Sequence, residues 1–263
     1  MFYMISMRTN KLKNSSPTII TDKEWADSHI YNKDSWKDEL RDALEHPHRS
    51  VLLDKISLHA PFSHILEIGC GYGSNLYYIA QKFPKTELRG IDINPMAVKH
   101  GNIFFKEKGI SNVQLSIGEA QNLKKFQDKY FDIILTDAVL IYISPEEITP
   151  LVREMLRVAK VLVLTEWHCF NTFIAAGTDK YYCFKLKYET RKFKGENMNF
   201  LSCLFKPKYA QLGFYTGHWT RDYFTLMKTF VPREHINITK LPKECWNDKR
   251  WRKWGAIIEV DAR

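Results

Sequence analysis

A glycine-rich turn with a carboxylate in front of it has the clearest chemical meaning in this sequence. The stretch HILEIGCGYGSNL, residues 64–76, places an acidic residue in an apolar run and follows it with three closely spaced glycines. Glycine at this density costs conformational entropy, which indicates that the bare backbone lies against a ligand. A carboxylate just ahead of the turn would repel a pyrophosphate, but it suits a ligand with a cationic amino group. The pattern predicts a small, phosphate-free cofactor bound by Glu67, Gly69, Cys70, Gly71 and Gly73.

Acidic residues after the following strands extend this predicted site. Asp92 ends the second predicted strand about 20 residues beyond the turn, where a carboxylate can accept hydrogen bonds from ribose hydroxyls. Glu119 and Ala120 follow the third strand, and Asp137 follows the fourth. S-adenosylmethionine carries an ammonium and a sulfonium but no phosphate, so it meets these requirements. The dinucleotide pattern G-x-G-x-x-G/A fits less well, because Ser74 stands at its third glycine position.

The hydrophobic pattern predicts an α/β protein with a doubly wound, mostly parallel sheet. Short apolar runs alternate with amphipathic stretches, as expected for βαβ units. Predicted strands are Ile65–Ile68, Glu87–Ile93, Val113–Ile117, Phe131–Thr136, Lys160–Glu166, His235–Leu241 and Gly255–Val260. Predicted helices are two pieces within 22–58, then Ser74–Phe83, Pro95–Lys108, Glu119–Phe126, Pro145–Val158 and Arg221–Phe230.

This alternation divides the chain into four predicted parts. Residues 1–60 form an N-terminal helical extension, and residues 61–166 form the cofactor-binding core. Residues 167–220 are rich in aromatic residues and lysine without a clear period, and we expect them to be an inserted lid over the carboxyl edge of the sheet. Residues 221–263 complete the core sheet.

Composition and charge narrow the functional classes. The 263 residues are 44% hydrophobic and 26% charged, which is ordinary for a soluble globular protein. No apolar run approaches the roughly 20 residues of a membrane span, and the sequence predicts no metal site. The five cysteines form no CxxC pair and no signal peptide is evident, so we expect free thiols in the cytoplasm. The net charge of +9 lies entirely in residues 168–263, which indicates either an acidic ligand or a solvated surface there.

Four motifs between Ile65 and Glu166 resemble those of class I S-adenosylmethionine-dependent methyltransferases. They are LEIGCGYGSNL, GIDINPMAVKHG, GEAQNL and YFDIILTDAVLIYISPEE, in that order. The resemblance implies a Rossmann-like sheet with a final antiparallel strand, and it adds Ile93 to the cofactor contacts. The stretches EWADSHIYN, VLIYISPEE and VLVLTEWH also resemble methylases associated with the biosynthesis of acidic nine-carbon sugars. Those methylases typically have histidine where this chain has Tyr142.

The predicted catalytic and acceptor residues follow strands four and five. His168 would face the transferred methyl group and could take a proton from an acceptor hydroxyl, although it could equally be structural. Tyr142 would orient the substrate or simply pack. Trp167, Arg191 and Arg221 are further predicted substrate contacts, since arginine suits bidentate binding of an anion.

Three functions are compatible with these residues. A methyltransferase acting on a small, anionic metabolite is favoured. The second is an RNA or tRNA methyltransferase that uses the basic C-terminal third, including KRWRKW at 249–254, which we expect in a loop before the last strand. The third is a non-catalytic relative that only binds the cofactor. The sequence does not predict the oligomeric state.

Overall fold

The computed structural model of the chain describes residues 36–144, 146–170, 212–215 and 218–263. The predicted substrate contact Arg191, most of the predicted lid and residues 1–35 lie outside these ranges. The division of the chain into four parts remains a prediction.

Helices and strands alternate along the described chain. The helices α1 to α7 span Trp36–Leu44, His48–Ser57, Ser74–Lys82, Pro95–Glu107, Ile148–Val158, Tyr223–Met227 and Lys249–Trp254. The strands β1 to β9 span His64–Ile68, Glu87–Asp92, Val113–Ile117, Phe131–Asp137, Ala159–Trp167, Leu212–Tyr215, His218–Arg221, Ile236–Lys240 and Gly255–Asp261. A 3₁₀ turn, Leu140–Tyr142, follows β4. None of the helices within the described ranges is both long and apolar enough to cross a membrane.

Seven strands form one sheet in the order β3-β2-β1-β4-β5-β9-β8. Strands β1 to β5 pair in parallel, whereas β9 runs antiparallel to both β5 and β8. This confirms the predicted Rossmann-like sheet with an antiparallel final strand. The strand order reverses between β1 and β4, and ligands of such sheets bind above the carboxyl ends of the strands at that point. Strands β6 and β7 form a separate pair, and a bridge between His168 and Arg221 joins β7 to the chain just after β5.

Apolar layers cover both faces of the large sheet. One layer includes Ile65 and packs beneath α2, α3 and α4; the other includes Leu66 and packs against α5. Because neighbouring side chains along a strand point to opposite faces, Glu67 and Asp137 lie on the first face and Glu166 on the second. The predicted cofactor carboxylates therefore share a face with the N-terminal helices.

The predicted short helix Glu119–Phe126 is wrong. These residues form consecutive turns, closed by hydrogen bonds from Asn122 N to Glu119 O and from Phe126 N to Leu123 O. Leu123 is fully buried, whereas the two lysines that follow it are exposed. Ala120, Leu123 and Phe126 pack on the core at intervals of three residues, and turns suffice to place them there.

The predicted helix Arg221–Phe230 begins too early. Arg221 belongs to β7, and α6 begins only after Asp222. The Asp222 side chain accepts a hydrogen bond from Thr225 N at 3.0 Å, which is the usual way for aspartate to cap a helix.

The loop predicted for KRWRKW, residues 249–254, is also wrong, because these residues form α7. Asp248 caps this helix by accepting hydrogen bonds from the backbone N–H groups of Arg250 and Trp251. The helix buries Trp251 and Trp254 in the core, so its apolar face stabilises it despite its four basic residues.

Candidate functional site

The glycine turn between β1 and α3 leaves space where a ligand could lie. Gly69, Gly71 and Gly73 have φ values of +69°, +53° and +82°, a region that favours glycine. A Cβ at Gly69 would collide with Val139, and one at Gly73 would lie 2.7 Å from the ring of Phe105. A Cβ at Gly71 would meet no atom of the described chain within 4 Å. The outer two glycines are therefore packed against protein, whereas Gly71 faces open space.

Strand β2 holds this turn in place. Asp92 accepts hydrogen bonds from Gly71 N at 2.7 Å and from Asn94 N at 2.8 Å. The Cys70 thiol is buried against Gly90 of β2, and burial raises its pKa. Asn94, rather than Asp92, caps α4 by accepting from two backbone N–H groups. The contact of Asp92 with a ribose stays a prediction, since its carboxylate here orients the turn.

The remaining predicted cofactor contacts lie beside the same turn. Gly118 N donates to Asp92 O at 3.0 Å, which brings the loop after β3 next to the end of β2. In that loop Glu119 is exposed and Ala120 is buried, and Ile93 is half-buried next to Asp92. The structure thus brings together the ends of β1, β2 and β3, and the contacts of these residues with a cofactor stay predictions.

A buried polar network joins the end of β1 to the end of β4. Asn75, in the first turn of α3, donates from Nδ2 to Glu67 Oε1 at 2.7 Å and to Asp137 Oδ2 at 3.1 Å. His48 Nε2 lies 2.7 Å from the same Asp137 oxygen, and Arg49 Nη1 lies 3.4 Å from it. The other two oxygens, Glu67 Oε2 and Asp137 Oδ1, are buried without a hydrogen-bond partner in the described part of the chain.

Burial and charge give the two carboxyl groups opposite protonation states. Burial raises the pKa of Glu67 to about 8, and the hydrogen bond from Asn75 offsets only part of this rise. Burial alone would also raise the pKa of Asp137, but His48 and Arg49 hold it well below its ordinary range. At neutral pH a protonated Glu67 therefore faces an ionised Asp137. An ammonium group carries three donors and could serve an oxygen of each group.

Sequence analysis predicted the two carboxylates but missed Asn75, His48 and Arg49. The HPHR stretch at 46–49 was a usable signal, because it concentrates polar rings and a guanidinium between two predicted helices. Asn75 offered a weaker one, as a polar residue in the first turn of the helix that follows the glycines.

The loop after β4 is held by a second buried carboxylate, on the other face of the sheet. Glu166 Oε1 accepts hydrogen bonds from Thr136 Oγ1 at 2.7 Å, Val139 N at 3.1 Å and Leu140 N at 3.0 Å. Its Oε2 accepts from Ile141 N at 3.2 Å. Both oxygens are therefore satisfied within the protein. The role of Glu166 was not predicted, because its partners lie some 25 to 30 residues earlier in the chain.

Arg221, predicted to contact substrate, has a different use in the structure. Its buried guanidinium donates to the carbonyl oxygens of Leu140 and Ile143. Arg221 thus binds carbonyl groups of the loop after β4, and Glu166 binds N–H groups of the same loop. These two bonds use one N–H of Nη1 and one of Nη2, and binding of an anion by Arg221 stays a prediction.

Two predicted acceptor residues lie close together at the carboxyl ends of β4 and β5. The His218 ring lies 4.9 Å from the Tyr142 ring and 5.1 Å from the Trp167 ring, measured between centroids. Tyr142 is 39% exposed, whereas Trp167 is buried. The Arg250 guanidinium lies 5.6 Å from the centroid of the Trp167 ring. These rings form a continuous aromatic wall, and its contact with an acceptor stays a prediction.

His168, the predicted general base, is buried just beyond β5. Its Nδ1 accepts a hydrogen bond from Tyr223 N at 3.2 Å, and its backbone N–H donates to Trp254 O at 2.7 Å. Burial lowers the pKa of His168 to about 4, so the ring is neutral at physiological pH. Because Nδ1 accepts this hydrogen bond, the proton of the neutral ring lies on Nε2. The ring could therefore accept a further proton only at Nδ1, by giving up the bond from Tyr223 N, and the catalytic role stays a prediction.

Comparisons with known proteins agree with this architecture. A family model described as a methyltransferase domain matches residues 65–161, which run from β1 into β5. An uncharacterized protein of Rickettsia prowazekii is 33% identical over 82 residues, covering 31% of this chain and 32% of that protein. A fatty-acid O-methyltransferase of Mycolicibacterium smegmatis is 34% identical over 71 residues, covering 27% of this chain and 24% of that protein. The chain thus spans less than a third of the length of each of these relatives.

The fold extends over more of the chain than these matches do. The solved structure of a proposed S-adenosyl-L-methionine-dependent methyltransferase from Methanococcus maripaludis covers 95% of this chain and 96% of its own. The identity is 13% and the TM-score is 0.53, which shows a likeness of fold alone. The family match, the strand order and the glycine turn agree with one another: residues 65–161 carry a methyltransferase domain.

Proposed function

We propose that this protein transfers a methyl group from S-adenosylmethionine to a small, anionic acceptor. The observation that carries the cofactor assignment is the open space at Gly71, within a turn whose other two glycines are packed against protein. Two oxygens of Glu67 and Asp137 that lack a partner in the described part of the chain lie nearby, on the face that this turn borders. These features fit a cofactor with a cationic amino group and a narrow part that lies against the protein backbone.

The chain's own residues would bind, orient and shield the reactants. The bound cofactor supplies a methyl group on a sulfonium, which is already an activated leaving group. The protein therefore has to align the acceptor and exclude water, and it needs no strong catalytic group. The rings of Tyr142 and His218, with Trp167 buried behind them, offer an aromatic surface for this at the carboxyl edge of the sheet.

The distribution of charge and the similarity to a fatty-acid O-methyltransferase support an anionic acceptor. All of the net charge of +9 lies after residue 167. The relative from M. smegmatis is named for fatty acids, which are carboxylic acids. The RNA alternative is less favoured, because Trp251 and Trp254 of the KRWRKW stretch are buried and cannot stack on bases.

Calorimetry with S-adenosylhomocysteine tests the cofactor assignment. Gly71→Val places a branched side chain in the proposed cofactor space and should weaken binding at least tenfold. Gly109→Val is the matched control, since Gly109 has a φ of +68° and also faces open space, but it lies beyond the far end of α4. Equal affinity of both variants, or no binding by the wild type, would contradict the assignment. Transfer of a labelled methyl group to a panel of carboxylates then tests the acceptor class.

A further inference from the structure

The corner between α1 and α2 reaches the end of β4 on the face that carries the cofactor carboxylates. His48, at the start of α2, is 2% exposed and places its Nε2 2.7 Å from Asp137 Oδ2. Arg49 donates from Nη1 to Asn75 Oδ1 at 2.5 Å. An N-terminal helix thus contacts both residues that link β1 to β4.

These contacts leave one oxygen of Glu67 and one of Asp137 without a hydrogen-bond partner in the described chain. The contacts of Asp137 with His48, Asn75 and Arg49 all involve its Oδ2 atom. Glu67 accepts a hydrogen bond from Asn75 at Oε1. Asn75 Nδ2 contacts both carboxylates, so the two groups converge on one point. Their remaining oxygens are buried and lack a partner within the described ranges. A buried polar atom without a partner costs free energy, which indicates that a donor belongs there.

An ammonium group suits this place better than a neutral donor. It offers three N–H groups, and the negative charge of the ionised Asp137 balances its positive charge. We infer that His48 and Arg49 are positioning residues for the amino-acid end of S-adenosylmethionine. They hold Asp137 and Asn75 so that Asp137 Oδ1 and Glu67 Oε2 receive the cofactor's ammonium group. This role of His48 and Arg49 rests on the proposed function, and it makes helix α2 part of the cofactor site.

The surroundings of His48 fix its ring. The Trp246 ring stacks on it at 4.4 Å between centroids, and His46 Nδ1 lies 2.5 Å from its Nδ1. With both ring nitrogens engaged, His48 orients Asp137 and does not itself contact the ligand.

Two ligands that differ only at the amino-acid end test this role. S-adenosylhomocysteine carries the amino acid, whereas 5′-methylthioadenosine lacks it and keeps the nucleoside. His48→Phe, which removes the donor but keeps a ring, should weaken S-adenosylhomocysteine binding at least tenfold and methylthioadenosine binding less than twofold. His48→Gln, which restores an N–H donor, should recover most of the loss. His59→Phe is the matched control, because His59 pairs with Glu259, a carboxylate of β9, and should leave both affinities unchanged.

The outcomes separate the inference from the proposed function. If His48→Phe weakens both ligands equally, or neither, the positioning role is wrong while the cofactor assignment stands. If the wild type binds neither ligand, the proposed function fails, and the inference fails with it. Binding of methylthioadenosine by the variant also shows that the rest of the site is folded.

Discussion

Two groups of buried carboxylates at the ends of adjacent strands differ in how completely the protein satisfies them. On one face of the sheet, both oxygens of Glu166 accept hydrogen bonds from the loop after β4 and from Thr136. On the other face, Glu67 and Asp137 each leave one oxygen without a partner in the described chain. The first arrangement is complete without a ligand. The second leaves two acceptor oxygens open in the described chain, and we propose that a bound ligand supplies their donor.

The complete arrangement still serves the site indirectly. Glu166 holds the N–H groups and Arg221 the carbonyl groups of the loop that carries Tyr142. This loop forms part of the proposed acceptor wall. We propose that one face fixes the acceptor loop while the other binds the cofactor.

Isosteric amide substitutions should separate the two kinds of carboxylate most strongly. Glu166→Gln keeps the shape but turns an N–H₂ group toward donors, so we expect it to lower the free energy of unfolding by about 2–3 kcal/mol. Glu67→Gln should cause no loss, because the protonated Glu67 that it mimics is the folded form at neutral pH. Denaturant titration at pH 7 measures both values. Equal losses in the two variants would remove the distinction.

The pH dependence of stability should sharpen the same contrast. Glu67 faces Asp137 from β4, Asp92 from β2 and Arg49 from α2, and burial raises its pKa to about 8. In the unfolded chain it ionises near 4.5, so between these two pH values only the folded state keeps the proton. The contribution of Glu67 to the free energy of unfolding is full below about pH 4.5 and is lost as the pH rises toward 8.

Wild type and Glu67→Gln compared from pH 5 to pH 8 measure this contribution. The variant should gain stability relative to the wild type by on the order of 1 kcal/mol per pH unit. A difference that does not change with pH would mean that Glu67 is ionised in the folded protein, and the proposed need for an added cation would weaken.

A partly exposed carboxylate sets the baseline for these effects. Glu154 pairs with Arg157 at 2.8 Å on the surface of α5, with a quarter of its side chain exposed. Glu154→Ala should lower the free energy of unfolding by only about 0.5 kcal/mol and leave S-adenosylhomocysteine binding unchanged. A larger loss here would show that the buried carboxylates are not exceptional.

Local patterns predicted the framework of the site but not its polar connections. The apolar run before the glycines and the proline at the start of α4 identify β1 and α4, because strand burial and helix starts depend on nearby residues. The contact between His48 and Asp137 joins residues 89 positions apart and depends on how α2 packs against β4. No periodicity in the sequence encodes such a pairing. The α7 helix was missed because its six residues are too few to show a period and four of them are basic.

A crystal structure of the complex with S-adenosylhomocysteine tests the central claim most directly. We expect the ligand backbone to lie against Gly71 and its ammonium nitrogen to lie about 3 Å from Glu67 Oε2, Asp137 Oδ1 or both, with the contacts of Glu166 unchanged. An amino-acid end that points elsewhere, with both of these oxygens still unpartnered, would contradict the account.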